Sequence, residues 1–229
     1  MAGDNYYRIC ALPVLGDLGS PPPLTLADLR ERAAGQPRTR TLVDAMLLSD
    51  DLLQREAFLA GEAAEVSPSV LTAAQVRNEE PLPDRLGGEA SPPPRVAADA
   101  LWTAYFQHAA QVARRQASPL MAAWVEHEVG LRNALAIARA EALGLEAAPY
   151  LVAAELGGPE EDFAAVVGEW SAAQDPLAGL RVLDRARWAW ITERDRWFSF
   201  ADEEFAAYAA KLMLIARWDR LSAESHGPG

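Results

Sequence analysis

Apolar residues recur at helical spacing along most of this chain, and nowhere do apolar and polar residues alternate over a sustained run. In WVEHEVGLRNALAIARAEALGL, Trp124 to Leu145, a rotation of about 100° per residue sets Leu120, Trp124, Glu128, Leu131, Leu135, Arg139 and Ala142 along one side of a helix. Ser118-Pro119 starts that helix and Gly144 closes it. Before it, Ala98, Leu101, Trp102, Tyr105, Ala109 and Val112 form a similar stripe. After it, Phe163, Val166, Val167 and Trp170 stand at i, i+3, i+4 and i+7 behind the acidic start Gly158-Pro159-Glu160-Glu161-Asp162, which suits the positive end of a helix dipole. Asp175-Pro176 opens a helix carrying Leu177, Leu180, Leu183, Trp190, Ile191 and Trp197. Ser199 with Asp202 caps a last one, striped by Phe205, Tyr208, Leu212, Ile215 and Trp218.

The first third is more broken. Tyr6 to Ala11 is too short for periodicity to separate strand from helix. Thr25 and Asp28 have capping-box spacing for a short helix ended by Gly35 and Pro37, and Thr41 with Asp44 repeats it for a helix that carries Leu42, Met46, Ser49, Leu52 and Leu53 to about Leu59. Ser67-Pro68 predicts a further helix ending near Arg77. From Asn78 to Arg95, NEEPLPDRLGGEASPPPR holds too much proline and glycine for a helix or a central strand. The expectation is an all-α chain, a multi-helix bundle of antiparallel helix pairs. Its predicted parts are an N-terminal helical subdomain (1–77), a linker or surface loop (78–95), a C-terminal bundle (96–222) and a frayed tail (223–229).

Charge intrudes on two of these stripes. Glu128 and Arg139 interrupt the 124–145 face, and Arg132 follows Glu128 at i+4, the favourable order for an ion pair. On the helix from Pro176, Arg187 and Arg194 share the side of Leu180, Trp190 and Trp197. They are placed either to pair with Glu126 or Glu128 or to anchor an interface among tryptophans.

Composition narrows the function. The chain has 229 residues, half of them hydrophobic, and a net charge of −12, which disfavours nucleic acid and anionic lipid as direct partners. Cys10 is the only cysteine, so neither an intramolecular disulfide nor a Cys-x-x-Cys metal site can form. With no charged, apolar leader and no run long enough to span a bilayer, a cytoplasmic location without direct membrane insertion is expected. Lys211 is the sole lysine in an arginine-rich chain, a bias of composition rather than a sign of chemistry.

Catalytic patterns fail one by one. His127-Glu128-Val129-Gly130-Leu131 begins like H-E-x-x-H but has leucine where the second zinc ligand belongs. None of His108, His127 and His226 follows a glutamate by three residues, as a di-iron bundle site requires. Phosphate-cradling and nucleophile-elbow motifs are missing too. The reading is therefore a non-enzyme with no cofactor and no metal. Two alternatives remain: a small-molecule enzyme or sensor in which Glu128, Arg139, Arg187 and His127 converge on a pocket, and a free helical adaptor.

Two stretches carry a resemblance. EHEVGLRNALAIARAEALGL resembles a helical segment of the d-type central-stalk subunit of V-type ATPases, in which an acidic residue, Asn and an Arg-Ala pair follow in order. YYRICALPVLGDLGSPPPLTLADL resembles the start of an uncharacterised bacterial family encoded with V-type ATPase subunits. The resemblance implies a fold like that of the d-type protein and a non-catalytic subunit or accessory protein of a V-type ATPase or ATP synthase. It implies the central-stalk subunits and the membrane rotor ring as partners, and a position at the inner membrane held through that complex. It implies, too, that Glu128, Arg132, Asn133 and Arg139 hold helices or line a central cavity. The d-type protein has three similar helical units, whereas this chain offers two segments around its proline-rich stretch.

Overall fold

The computed structural model describes residues 3–87, 96–158, 162–196, 199 and 201–225. Among these every regular element is helical: α1 (Gly3–Cys10), α2 (Leu26–Ala33), α3 (Pro37–Leu59), α4 (Ala73–Val76), α5 (Ala97–Gln116), α6 (Pro119–Ala142), α7 (Ala164–Ser171), α8 (Pro176–Arg194) and α9 (Asp202–Ser225). Short 3-10 turns lie at Asp84–Leu86, Ala148–Tyr150 and Ala154–Leu156. The all-α expectation holds, and the undecided Tyr6–Ala11 stretch is helical as far as Cys10.

The chain forms two compact units, Met1–Glu79 with Asp184–Gly229, and Glu80–Leu183. The described residues from 184 to 222, expected to complete a C-terminal bundle, instead fall in one unit with the N-terminal helices. The reason lies in α3 and α9. Leu42, Val43, Met46, Leu47, Leu48 and Leu52 of α3 are buried, and so is nearly every position of α9 from Glu204 to Ile215. A helix with buried positions on several sides must be surrounded, and α3 and α9 pack against one another and against α2. Tyr208 of α9 also donates its hydroxyl to the carbonyl of Pro13 at 2.8 Å, tying down the chain after α1.

In the second unit α5 and α6 are joined by only Ala117 and Ser118. Ala117 takes the left-handed conformation (φ 47°), and Ser118 Oγ accepts the amide of Met121 at 3.2 Å as the N-cap of α6. Between the two helices Trp102, Tyr105, Phe106 and Trp124 form an aromatic cluster, with ring centroids 5.1–6.3 Å apart for Tyr105 and its neighbours. The Asp84–Leu86 turn packs with α5 and buries Leu86, so the proline-rich stretch is partly built into this unit. Residues 88–95 of the expected linker, Trp197, and residues 226–229 of the expected tail lie outside the described residues, whereas 223–225 belong to α9.

Several helix starts differ from expectation. Thr25 and Asp28 do form a capping box, but α3 begins at Pro37, and Thr41 Oγ1 donates to the Pro37 carbonyl inside the first turn. Asp44, the expected capping partner, accepts from Arg30 and Arg40 at 2.7 and 2.9 Å. The helix expected from Ser67-Pro68 is only Ala73–Val76, capped by Thr72 with Gln75. Asp162 accepts the amide of Ala164 at 2.8 Å ahead of α7, and Asp175 accepts that of Ala178 at 2.7 Å in α8, as its Asp-Pro start predicts. Ser199 accepts from Ala201 at 3.4 Å, while Asp202 binds Thr39 and Arg38.

The location of the caps is testable. Thr25→Ala should lower unfolding stability by about 1 kcal/mol, a typical loss for an N-cap. Thr41→Ala, which removes no cap, should cost clearly less in the same urea titration.

Candidate functional site

The six residues singled out from the sequence fall in different units and do different things. Glu128, Arg132, Asn133 and Arg139 lie on α6 in the second unit, and Arg187 and Arg194 lie on α8 in the first. Arg132 sets its guanidinium 4.6 Å over the Trp102 ring and 3.6 Å from Asp99, binding α6 to α5 through a cation–π contact and an ion pair. Asn133 brackets one peptide unit. Its Nδ2 donates to the carbonyl of Val152 at 3.0 Å, and its Oδ1 accepts the Val152 amide at 2.9 Å. An irregular segment is thereby fixed to α6 by both its polar groups. Glu128 is half-buried, and Arg139 is exposed rather than part of the buried stripe, its guanidinium lying 4.9 Å over Trp170.

On α8 Arg187 pairs with Asp184 at 3.2 Å, and Arg194 pairs with its neighbour Glu193 at 3.1 Å. Arg194 also covers the Trp190 ring at 4.3 Å. Both arginines thus have partners within α8 itself, because a guanidinium one turn from a carboxylate or a ring reaches it without crossing to another helix. Of the residues of the pocket reading, Arg139 lies over Trp170 and Arg187 is held by Asp184.

The strongest polar constellations were missed from the sequence: they are buried aspartates of the first unit. Asp184, with no exposed surface, accepts from Arg217 at 2.8 Å, from Arg187 at 3.2 Å and from the Trp218 indole at 3.0 Å, joining α8 to α9. Asp50 of α3 accepts from Arg220 of α9 at 2.6 Å and from Gln54 at 2.8 Å. Asp51, equally buried, accepts three consecutive backbone amides, those of Ser69, Val70 and Leu71, each at 2.7 Å. Gln54 and Arg55 continue the strap: Gln54 Oε1 accepts the Ser67 amide at 2.7 Å, and Arg55 donates to the Gln75 carbonyl at 2.5 Å. These α3 side chains hold the segment's amides as an irregular strap, and the helix that Ser67-Pro68 suggested is confined to α4. The one signal in the sequence was Asp50-Asp51 set inside the apolar run LLSDDLL, where two carboxylates demand buried donors.

Burial pushes the Asp51 carboxyl up to about 6, with the neighbouring Asp50 acting the same way and the three amides acting against it. Lys211 binds Asp195 at 2.7 Å, so the sole lysine also fastens α9 to the end of α8. His127 is buried on α6 with its ring 5.5 Å from that of Phe163. Among the described residues no three or more His, Cys, Asp or Glu side chains gather where a metal ion could be held. The acceptors of Asp184 and Asp51 point at donors of the chain itself. Such an arrangement can fix helices and loops in place, and these carboxylates are already engaged.

Two measurements check this. Asp184→Ala, which strips two guanidiniums and an indole of their buried acceptor, should cost about 3–5 kcal/mol of stability in urea unfolding. For Asp51 the folded-state carboxyl titrates near 6 against an ordinary 3.8. The native state therefore binds the extra proton, and the stabilisation, full below about pH 4, is lost as pH rises from there through about 6. Relative to Asp51→Asn, the wild type should lose about 2 to 3 kcal/mol between pH 4 and pH 7.5. A pH-independent difference between the two proteins would refute the assignment.

Compared with known proteins, the chain matches no family model, no curated protein and no solved structure.

Proposed function

We propose that the chain is a non-catalytic subunit or accessory protein of a V-type ATPase or ATP synthase that links or assembles the central stalk and the membrane rotor ring. Its partners on this reading are stalk subunits and the ring, and it sits at the cytoplasmic face of the membrane through them. The observation that carries the reading is the use made of charge. In both units ionic groups tie one helix to another, as Arg217 does with Asp184 and Arg132 does with Trp102. Rigid placement of helices is what a part of a rotating or assembling machine supplies, and it needs no reacting atom.

Two further features support it. Of the two stretches that resemble V-type ATPase proteins, 126–145 is helical as far as Ala142, in α6, and 6–29 is helical at its two ends, in α1 and α2. In the N-terminal stretch Ile9 and Leu12 turn inward, while Tyr7 and Val14 remain 78% and 84% exposed. Exposed aromatic and aliphatic groups of this kind are what a protein partner covers. No described helix is long and apolar enough to cross a membrane.

Affinity capture of the tagged chain from its own cells in mild detergent should bring down stalk subunits of the ATPase. Tyr7→Asp combined with Val14→Asp should reduce that recovery several-fold while the helical circular dichroism stays unchanged. Capture that returns no ATPase subunit at native expression levels would defeat the proposal.

A further inference from the structure

Helix α7 is attached differently from its neighbours. It is eight residues long and contains no buried residue. Four half-buried side chains, Phe163 just before it and Val166, Val167 and Trp170 within it, rest on Leu131 and Leu135 of α6 and on Leu183 of α8. Its other face, with Ala164, Ala165, Gly168 and Glu169, is exposed.

The floor beneath is shaped to the rings it receives. A Cβ added to Gly130 would lie 2.7 Å from Phe163 Cε2, and one added to Gly179 would lie 3.1 Å from Trp170 Cδ1. Phe163 therefore sits against the bare backbone of Gly130 at a depth that a side chain there would not allow, and Trp170 packs tightly on that of Gly179. The Arg139 guanidinium covers the Trp170 ring at 4.9 Å, and the three leucines receive the two valines between.

A helix of this length is marginal in water, since isolated helices shorter than about 12 residues do not recover their nucleation cost. Docking keeps α7 helical, and its docked side chains are only half withdrawn from solvent. The surface it covers belongs to the much longer α6 and to the first turns of α8. A weakly held occupant on a firm receptor is the arrangement of helix-in-groove recognition, read through anchors at i, i+3, i+4 and i+7.

We propose that α7 is a resident stand-in that fills, in cis, a helix-binding groove of α6 and α8, and that a partner's amphipathic helix displaces it by presenting an aromatic, two aliphatic and a second aromatic residue at that spacing. The glycine-floored sockets select rings at both ends, the leucines select aliphatic groups between them, and Arg139 favours tryptophan at the second aromatic position through its cation–π contact. The groove goes beyond the ATPase reading and does not depend on it.

The test uses the full chain with Phe163→Ala and Trp170→Ala together, which empties both sockets, and a fluorescent synthetic peptide of residues 162–172 as the probe. Saturable binding is expected, on the order of tenfold tighter than to the wild type, where α7 competes from within the same molecule. The peptide carrying the same two alanines should not compete. Lack of binding by a variant whose amide exchange in α5 and α6 matches the wild type overturns the proposal. Binding that merely follows self-association of the chain in sedimentation also overturns it. A second measurement needs no variant: in native-state hydrogen exchange, α7 amides should open at much lower denaturant than α6 amides. Exchange of both helices through one global opening would sink the idea regardless of how the variant folds.

Discussion

A carboxylate removed from water must be met by donors, and the first unit is organised around that requirement. Asp184 gathers two guanidiniums and an indole, Asp50 takes one guanidinium from α9, and Asp51 takes three amides from one loop. Each of these groups would be a liability alone, since a buried unpaired charge costs several kcal/mol. Together they specify which helix lies beside which. The apolar surfaces of α3 and α9 supply the drive to pack, but leucine and alanine contacts tolerate sliding. Directional bonds from Asp50 and Asp184 do not, so they choose one arrangement from the many that would bury similar area.

The second unit fastens its helices by another means. Arginine guanidiniums sit over tryptophan rings, Arg132 over Trp102 and Arg139 over Trp170. Guanidinium suits this task better than ammonium because it is planar and weakly hydrated, and so it gives up less on stacking. Asn133 does for the Val152 segment what Asp51 does for the Ser69–Leu71 segment: one side chain on a long helix holds a stretch of irregular backbone by its polar groups.

Much of the fold was legible because helices announce themselves locally. The Thr25 cap, the Asp175-Pro176 start and the Ser118-Pro119 start all act within one turn of chain, and each appears where its residues predict. What the sequence hid was non-local. Nothing near α9 in the chain says that it returns to α3, and the shortened helix after Ser67 depends on Asp51, which lies outside that segment. The candidate residues fared similarly. Arg132 and Asn133 each bond to another element, and the predicted stripe is buried at Trp124, Leu131 and Leu135, but Arg139, one turn beyond Leu135, is exposed and lies over Trp170. Asp184 was hidden because apolar residues and arginines mix around it in the sequence, and its burial comes with the approach of Arg217 and Trp218 from α9.

The chain's single lysine has a practical side. Lys211 is only 14% exposed and is clasped by Asp195. Amine-directed cross-linkers, the usual reagents for charting neighbours in large complexes, would find almost nothing to attack here, and surveys built on them would pass this protein by. Carboxyl-directed coupling, which can draw on the exposed members of its 33 acidic side chains, is the chemistry suited to recording who stands next to it.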